Sequence, residues 1–314
     1  MTDSNQPAVR GINMAQDKAV FEKQKEQMAG GKGFIAALDQ SGGSTPKALR
    51  QYGVEEDEYN GEEEMFGEIH KMRTRIITAP DFTSDKVLGA ILFERTMRGE
   101  IEGIPTAQYL WEKRGVVPFL KIDKGLEEQA SGVQMMKPMP GLEALLDEAA
   151  QDFGIFGTKE RSVIHEADAE GIKQIVAQQF EVGRKVIAAG MVPILEPEVS
   201  IHSESKDEAE KMLEEALRVQ LDTLAEGEDI MIKLTIPSTP GLYDGLADHP
   251  RVVRVVALSG GYSTDEACER LSKNHKMIAS FSRALAEGLS KKQSDEEFNA
   301  LLGSSIDKIY QASL

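Results

Sequence analysis

The chain has 314 residues, 40% of them hydrophobic, and its 53 Asp and Glu outnumber its 36 Lys and Arg to give a net charge of −17. That acidity argues against a nucleic-acid partner, whose phosphates call for a basic surface, while the apolar content is ample for a large core. No apolar run approaches the roughly 20 residues that span a bilayer, no charged-then-apolar leader opens the chain, and the lone Cys268 cannot pair internally, so no membrane partner and a cytoplasmic location are expected.

In chain order, a polar helical extension is expected over residues 1–30, closed by Gly30, Gly31 and Gly33. Short apolar runs then recur at Gly33 to Leu38, Val87 to Phe93, Val117 to Ile122, Phe153 to Thr158, Val192 to Leu195, Ile230 to Ile236, Val252 to Leu258 and Met277 to Phe281. Helical stretches separate them: Ile172, Ile175, Val176, Phe180 and Ile187 recur at helical spacing before Gly190. Ser205 with Glu208, and Ser263 with Glu266, have the spacing of a capping box. Strands alternating with helices predict a parallel sheet covered by helices, and eight strands close a (β/α)8 TIM barrel. With no low-complexity linker and no repeat, one α/β domain spanning residues 1–314 is the expected organisation. The competing arrangement, an open doubly wound sheet, lacks its glycine-rich dinucleotide turn after the first strand.

Catalytic groups of such barrels come from the C-terminal ends of the strands. Here those ends carry Asp39, Lys124, Lys159 with Arg161, Glu196 with Glu198, Lys233, Ser259-Gly260-Gly261 and Arg283. Lys233 is a lone ammonium among Ile232, Leu234 and Ile236. Desolvation favours its neutral form, a nucleophile toward carbonyls, although the same residue could instead snorkel to solvent. Glu196 and Glu198 lie at i, i+2, on one face of an extended strand, where close carboxylates can split into proton donor and acceptor. Lys159 offers a second cation near Lys233, and Asp39 is placed either to act on a substrate hydroxyl or to cap the following helix.

Two groups suit anions. Ser259-Gly260-Gly261, with Arg283 after the next strand, stands where these barrels often bind phosphate: glycines admit backbone N–H groups and arginine offers a fork. Ser41-Gly42-Gly43-Ser44 with Lys47, together with Lys124, forms a second candidate cradle. An amine nucleophile, carboxylates and two anion sites fit a sugar phosphorylated at both ends.

These residues resemble the class I, Schiff-base-forming fructose-bisphosphate aldolases. Leu195-Glu196-Pro197-Glu198, Leu258-Ser259-Gly260-Gly261, Ile122-Asp123-Lys124-Gly125, Ile91-Leu92-Phe93-Glu94-Arg95-Thr96 and Lys233 carry the resemblance, which runs from about Gly31 to the C-terminal helix. It implies that Lys233 forms the imine, that Glu198 and Glu196 shuttle protons, that Lys159 supports the charge arrangement and that Asp39 serves the substrate hydroxyls. It further implies that Ser259, Gly260 and Arg283 hold the ketone-end phosphate, and that Ser41, Ser44 and Lys124 serve the other end. The imine is the electron sink, so no metal or other cofactor is expected.

The chain departs from the family pattern at Glu160, where a tryptophan is usual, at Ala48, where an arginine is usual and Lys47 or Arg50 could substitute, and at Ser282, usually glycine. It ends at Leu314, so the tyrosine-tipped tail known in animal members is not expected, and Tyr310 is a poor replacement. A zinc-dependent aldolase would need clustered histidines, whereas His70, His165, His202, His249 and His275 are scattered. Another Schiff-base barrel, transaldolase-like and acting on a singly phosphorylated sugar, and a non-catalytic phosphosugar-binding barrel are the remaining readings. A homo-oligomer is compatible with the sequence, in which no apolar patch stands out.

Overall fold

A computed structural model describes residues 18–314, so residues 1–17 of the expected N-terminal extension lie outside the described residues. Eight parallel strands follow one another around a sheet: β1 (Phe34–Leu38), β2 (Val87–Leu92), β3 (Val117–Lys121), β4 (Gly157–Ile164), β5 (Val192–Val199), β6 (Ile230–Thr235), β7 (Val252–Leu258) and β8 (Met277–Ala279). β8 returns beside β1, so the barrel is nearly closed, as the sequence predicts. A two-residue strand, Val133–Gln134, pairs antiparallel with the end of β4.

The principal helices are α1 (Lys18–Gly30), α2 (Ser44–Gln51), α3 (Gly61–Thr78), α4 (Thr106–Arg114), α5 (Leu142–Gln151), α6 (Ala169–Ala188), α7 (Lys206–Leu221), α8 (Thr264–Leu271) and α9 (Asp295–Ala312). Among the described residues no helix is long and apolar enough to cross a membrane. Ser263 caps α8 by accepting the Glu266 N–H at 3.2 Å. Ser205 does not cap α7: its hydroxyl accepts the Ala167 N–H at 2.8 Å, and its backbone is not extended, so the expected capping box does not form there.

Side chains alternate along each strand, and the inward set fills the barrel's N-terminal half with Ile35, Ile91, Phe119, Ile194, Met231, Val256 and Ile278, all buried. Phe119 is accommodated because both neighbouring strands present glycine: a Cβ at either Gly89 or Gly157 would lie 3.0 Å from its ring. Helix α1 covers this end of the barrel. Met28 joins the cluster, Phe21 packs on Phe156 with ring centroids 5.0 Å apart, and Arg254 donates to the carbonyls of Met28 and Gly31.

The fourth strand departs most from expectation, running over Gly157–Ile164 rather than Phe153 to Thr158. Both of its faces are polar, so hydropathy conceals it. Lys159 and Arg161 point into the barrel, whereas Thr158, Glu160 and Ser162 lie under α6. There Thr158 donates to the Glu160 carboxyl at 3.1 Å, and Gln179 donates to the Ser162 hydroxyl at 2.8 Å and the Glu160 carbonyl at 3.2 Å. β5 likewise continues through Glu196 and Glu198 to Val199.

Candidate active site

The inward alternation that builds the plug continues toward the strands' C-terminal ends, where the chemistry changes. Two residues beyond Phe119 is Lys121; beyond Ile194 is Glu196; beyond Met231 is Lys233; beyond Ile278 is Ser280. These side chains, with Asp39, Asp123, Lys159, Arg161 and Glu198, line a cavity of about 830 Å³ at the barrel mouth.

Lys233 is 4% exposed, and its Nζ lies 3.0 Å from Glu196 Oε1. The other Glu196 oxygen is 3.0 Å from Lys159 Nζ, which also pairs with Asp39 Oδ2 at 2.8 Å and approaches Asp123 Oδ2 at 3.8 Å. Snorkelling is thereby excluded for Lys233. Asp39 does not cap a helix: Gly43 occupies the N-cap of α2.

The charges hold one another. Burial alone would raise the pKa of Asp39 and of Glu196, but Lys159 and Lys233 outweigh it and keep both below the ordinary carboxylate range. Burial alone would lower the pKa of Lys159, yet Asp39, Glu196 and Asp123 raise it, so Lys159 is a fixed cation. Arg161 Nε contacts Glu198 Oε2 at 2.5 Å and orients that carboxylate. Asp123 accepts from Lys121 Nζ at 2.8 Å and from the Arg161 N–H at 3.2 Å, tying β3 to β4.

Ser259, Gly260, Gly261 and Arg283 line the same cavity, as do Ser41, Ser44 and Lys47. Gly260 and Gly261 have φ of 62° and 122°, conformations that side chains disfavour, and a Cβ at Gly260 would sit 2.7 Å from Ile201. Because β7, β8 and β1 are successive around the barrel, these loops follow one another along one side of the mouth. Within it Ser44 Oγ donates to the Ser41 carbonyl at 2.8 Å and accepts the Ser41 N–H at 3.0 Å.

Lys124 is not brought to this cavity. It is exposed, pairs with Glu94 and lines a separate groove with Arg98 and Glu148. The strand-end cation that does face the mouth is Lys121. Residue parity explains the difference: Phe119, Lys121 and Asp123 share the inward face, whereas Ile122 joins the outer core and Lys124 follows it. Asp123, Ser280 and Gln40 were also missed as cavity residues, and the period of two would have found the first two. The Ser280 hydroxyl is buried without a hydrogen-bond partner. Among the described residues no group of three or more His, Cys, Asp and Glu side chains is arranged to hold a metal ion.

A family profile described as fructose-bisphosphate aldolase class-I matches residues 20–236. The fructose-bisphosphate aldolase class 1 of Porphyromonas gingivalis is 57% identical over 293 residues, covering 93% of this chain and 99% of that protein. The chain belongs to the class I fructose-bisphosphate aldolase family. Its fold also resembles that of a Plasmodium falciparum fructose-bisphosphate aldolase, solved with TRAP and a small-molecule inhibitor, at a TM-score of 0.73 with 19% identity and 93% of each chain covered. A Corynebacterium glutamicum protein is more distantly similar, with a TM-score of 0.53, 12% identity and coverage of 96% and 94%. The profile match to this aldolase ends just past Lys233, before the Ser259 loop and Arg283.

Proposed function

We propose that the cavity cleaves fructose 1,6-bisphosphate reversibly to dihydroxyacetone phosphate and glyceraldehyde 3-phosphate through an imine on Lys233. The observation that carries this reading is the buried relay Lys233–Glu196–Lys159–Asp39, linked by contacts of 3.0, 3.0 and 2.8 Å. The Lys233 ammonium passes a proton to the adjacent Glu196 carboxylate, the resulting amine adds to the ketone carbon, and the same proton is returned to the carbinolamine hydroxyl, which leaves as water and yields the protonated imine. Glu196, in contact with the amine, serves this proton traffic, while Glu198, oriented by Arg161, takes or returns protons at the open side of the cavity. Breaking the bond between the third and fourth sugar carbons requires removal of the proton from the hydroxyl on the fourth carbon. The bond's electron pair flows into the protonated imine and leaves an enamine. Asp39 orients or accepts from that hydroxyl chain, and the positive charge of Lys159, in contact with both carboxylates, keeps Asp39 and Glu196 ionised.

The phosphate at the ketone end is assigned to Ser259, Gly260, Gly261 and Arg283. The other end is assigned to Ser41, Ser44, Lys47 and Arg161, with Lys121 replacing Lys124. The whole chain acts as one catalytic domain, and the buried, unpaired Cys268 suits a cytoplasmic enzyme. Borohydride reduction of the enzyme with fructose 1,6-bisphosphate is expected to fix one substrate fragment covalently on Lys233, with activity unaffected by a strong chelator. Labelling at another residue, or none, overturns the assignment. Comparison with singly phosphorylated ketoses separates it from a transaldolase-like reading, which predicts no advantage for the second phosphate.

A further inference from the structure

Among the described residues, one seam of the barrel wall, between β8 and β1, has no ladder hydrogen bonds, and side chains bridge it at the mouth. Gln40, directly after Asp39, donates from Nε2 to the Ser282 hydroxyl, directly before Arg283. Gln40 is itself held from behind. The fully buried Arg73 of α3 donates to the Gln40 carbonyl at 2.5 Å and approaches its Oε1 at 3.4 Å, and anchors its other arm on Thr96 Oγ1 at 2.6 Å. A guanidinium is suited to this task because its planar fork fixes several acceptors at once. Burial pulls Arg73 down to about 10 and Asp39 partly offsets that, so it stays charged at neutral pH.

The direction of the Gln40 bond matters. The Ser282 oxygen accepts from an amide, which leaves the hydroxyl proton free to be donated elsewhere. Both Gln40 and Ser282 line the cavity, within the wall that also carries Arg283, Ser259 and Ser41. We propose that Arg73 and Gln40 are positioning residues that present the Ser282 hydroxyl as a substrate-phosphate donor beside Arg283, a group absent where glycine fills this position. The inference rests on the aldolase reading for the identity of the substrate but not for the binding of phosphate.

The test is a double-variant cycle with Ser282→Ala and Gln40→Met, measured by steady-state cleavage of fructose 1,6-bisphosphate and by calorimetric titration of inorganic phosphate, which needs no turnover. Each single variant is expected to raise KM and the phosphate Kd about 10-fold, the scale of one hydrogen bond to a charged group, with kcat within about twofold. The double variant is expected to be no worse than either single, because both remove the same contact. Ser282→Thr, which keeps the hydroxyl, should restore most of the affinity. Unchanged phosphate affinity in Ser282→Ala, additive losses in the double variant, or a fall in kcat at constant KM would each overturn the proposal. An unmutated enzyme that binds phosphate but does not cleave the bisphosphate would instead sink the aldolase reading and leave this one standing.

Discussion

Ile35 and Asp39 lie on the same inward face of one strand register, four positions apart, and they belong to two different environments. The first is part of an apolar plug sealed by α1; the second is one of several charges around the mouth cavity. The same change occurs between Phe119 and Lys121, Ile194 and Glu196, Met231 and Lys233, and Ile278 and Ser280. Two residues, roughly 6–7 Å of strand, separate packing from chemistry. The plug makes the mouth possible: with its floor filled by Phe119 and its neighbours, the ammonium of Lys233 has Glu196 rather than bulk water beside it, and the relay of opposite charges is fixed before substrate arrives.

Removing chemistry from the mouth while leaving the plug intact should have the largest effect. Lys233→Met retains the stem and loses the nucleophile; kcat is expected to fall by at least about 10⁴-fold, with no borohydride-trapped adduct, while the fold persists. Circular dichroism and mass spectrometry of the trapped enzyme check both halves. Residual activity near that of the unmutated enzyme would move the imine to another lysine. Lys159→Met should damage both regions' partnership. It removes the cation shared by Asp39, Glu196 and Asp123, which leaves buried carboxylates uncompensated and destabilises by about 3–5 kcal/mol, with a loss in kcat of about 10²- to 10³-fold. Urea unfolding and single-turnover rates separate the two effects.

Phe119→Ala reverses the pattern. Cutting this plug side chain should cost about 3–5 kcal/mol of stability, yet kcat near 25 °C should stay within a few-fold, because Phe119 belongs to the apolar floor and not to the cavity's charged lining. A kcat loss as large as the stability loss implies would show that plug and mouth are not separable.

The contrast also explains what could be read from the sequence. Apolar runs reveal six strands closely and the first half of the fifth, and Lys233, Glu196 and Glu198 are legible because charges at the inward ends of such runs stand out. The fourth strand was misplaced because Lys159 and Arg161 serve the cavity while Thr158, Glu160 and Ser162 bond beneath α6, leaving no hydropathy period to detect. Lys124 is expected at the mouth because it follows the third apolar run in the Ile122-Asp123-Lys124-Gly125 segment, whereas alternation from Phe119 selects Lys121. Gln40 and Arg73 gave no local signal, since their roles depend on α3 and the β8–β1 seam meeting in space.

The smallest effect, and the one that compares the mouth with the outer face of the barrel wall, concerns pH. In the mouth, Asp39 and Glu196 have folded pKa values below their unfolded values of roughly 3.9 and 4.3. Their contribution to stability is therefore present above those values and is lost as pH falls through the folded ones. Glu160, one residue from Lys159 but facing α6, has the opposite sign: burial, before any other influence, raises its pKa well above the ordinary value. Its contribution is complete below roughly pH 4.3 and is lost as pH rises toward the folded pKa, at up to about 1.4 kcal/mol per pH unit. Glu160→Gln is a neutral replacement of nearly the same shape, so near pH 4 its stability should match the unmutated chain within about 1 kcal/mol. Toward pH 7 the variant should become the more stable of the two, with kcat little changed. Urea midpoints of both proteins between pH 4 and 8 measure this; parallel curves would mean that Glu160 is ionised in the folded wall.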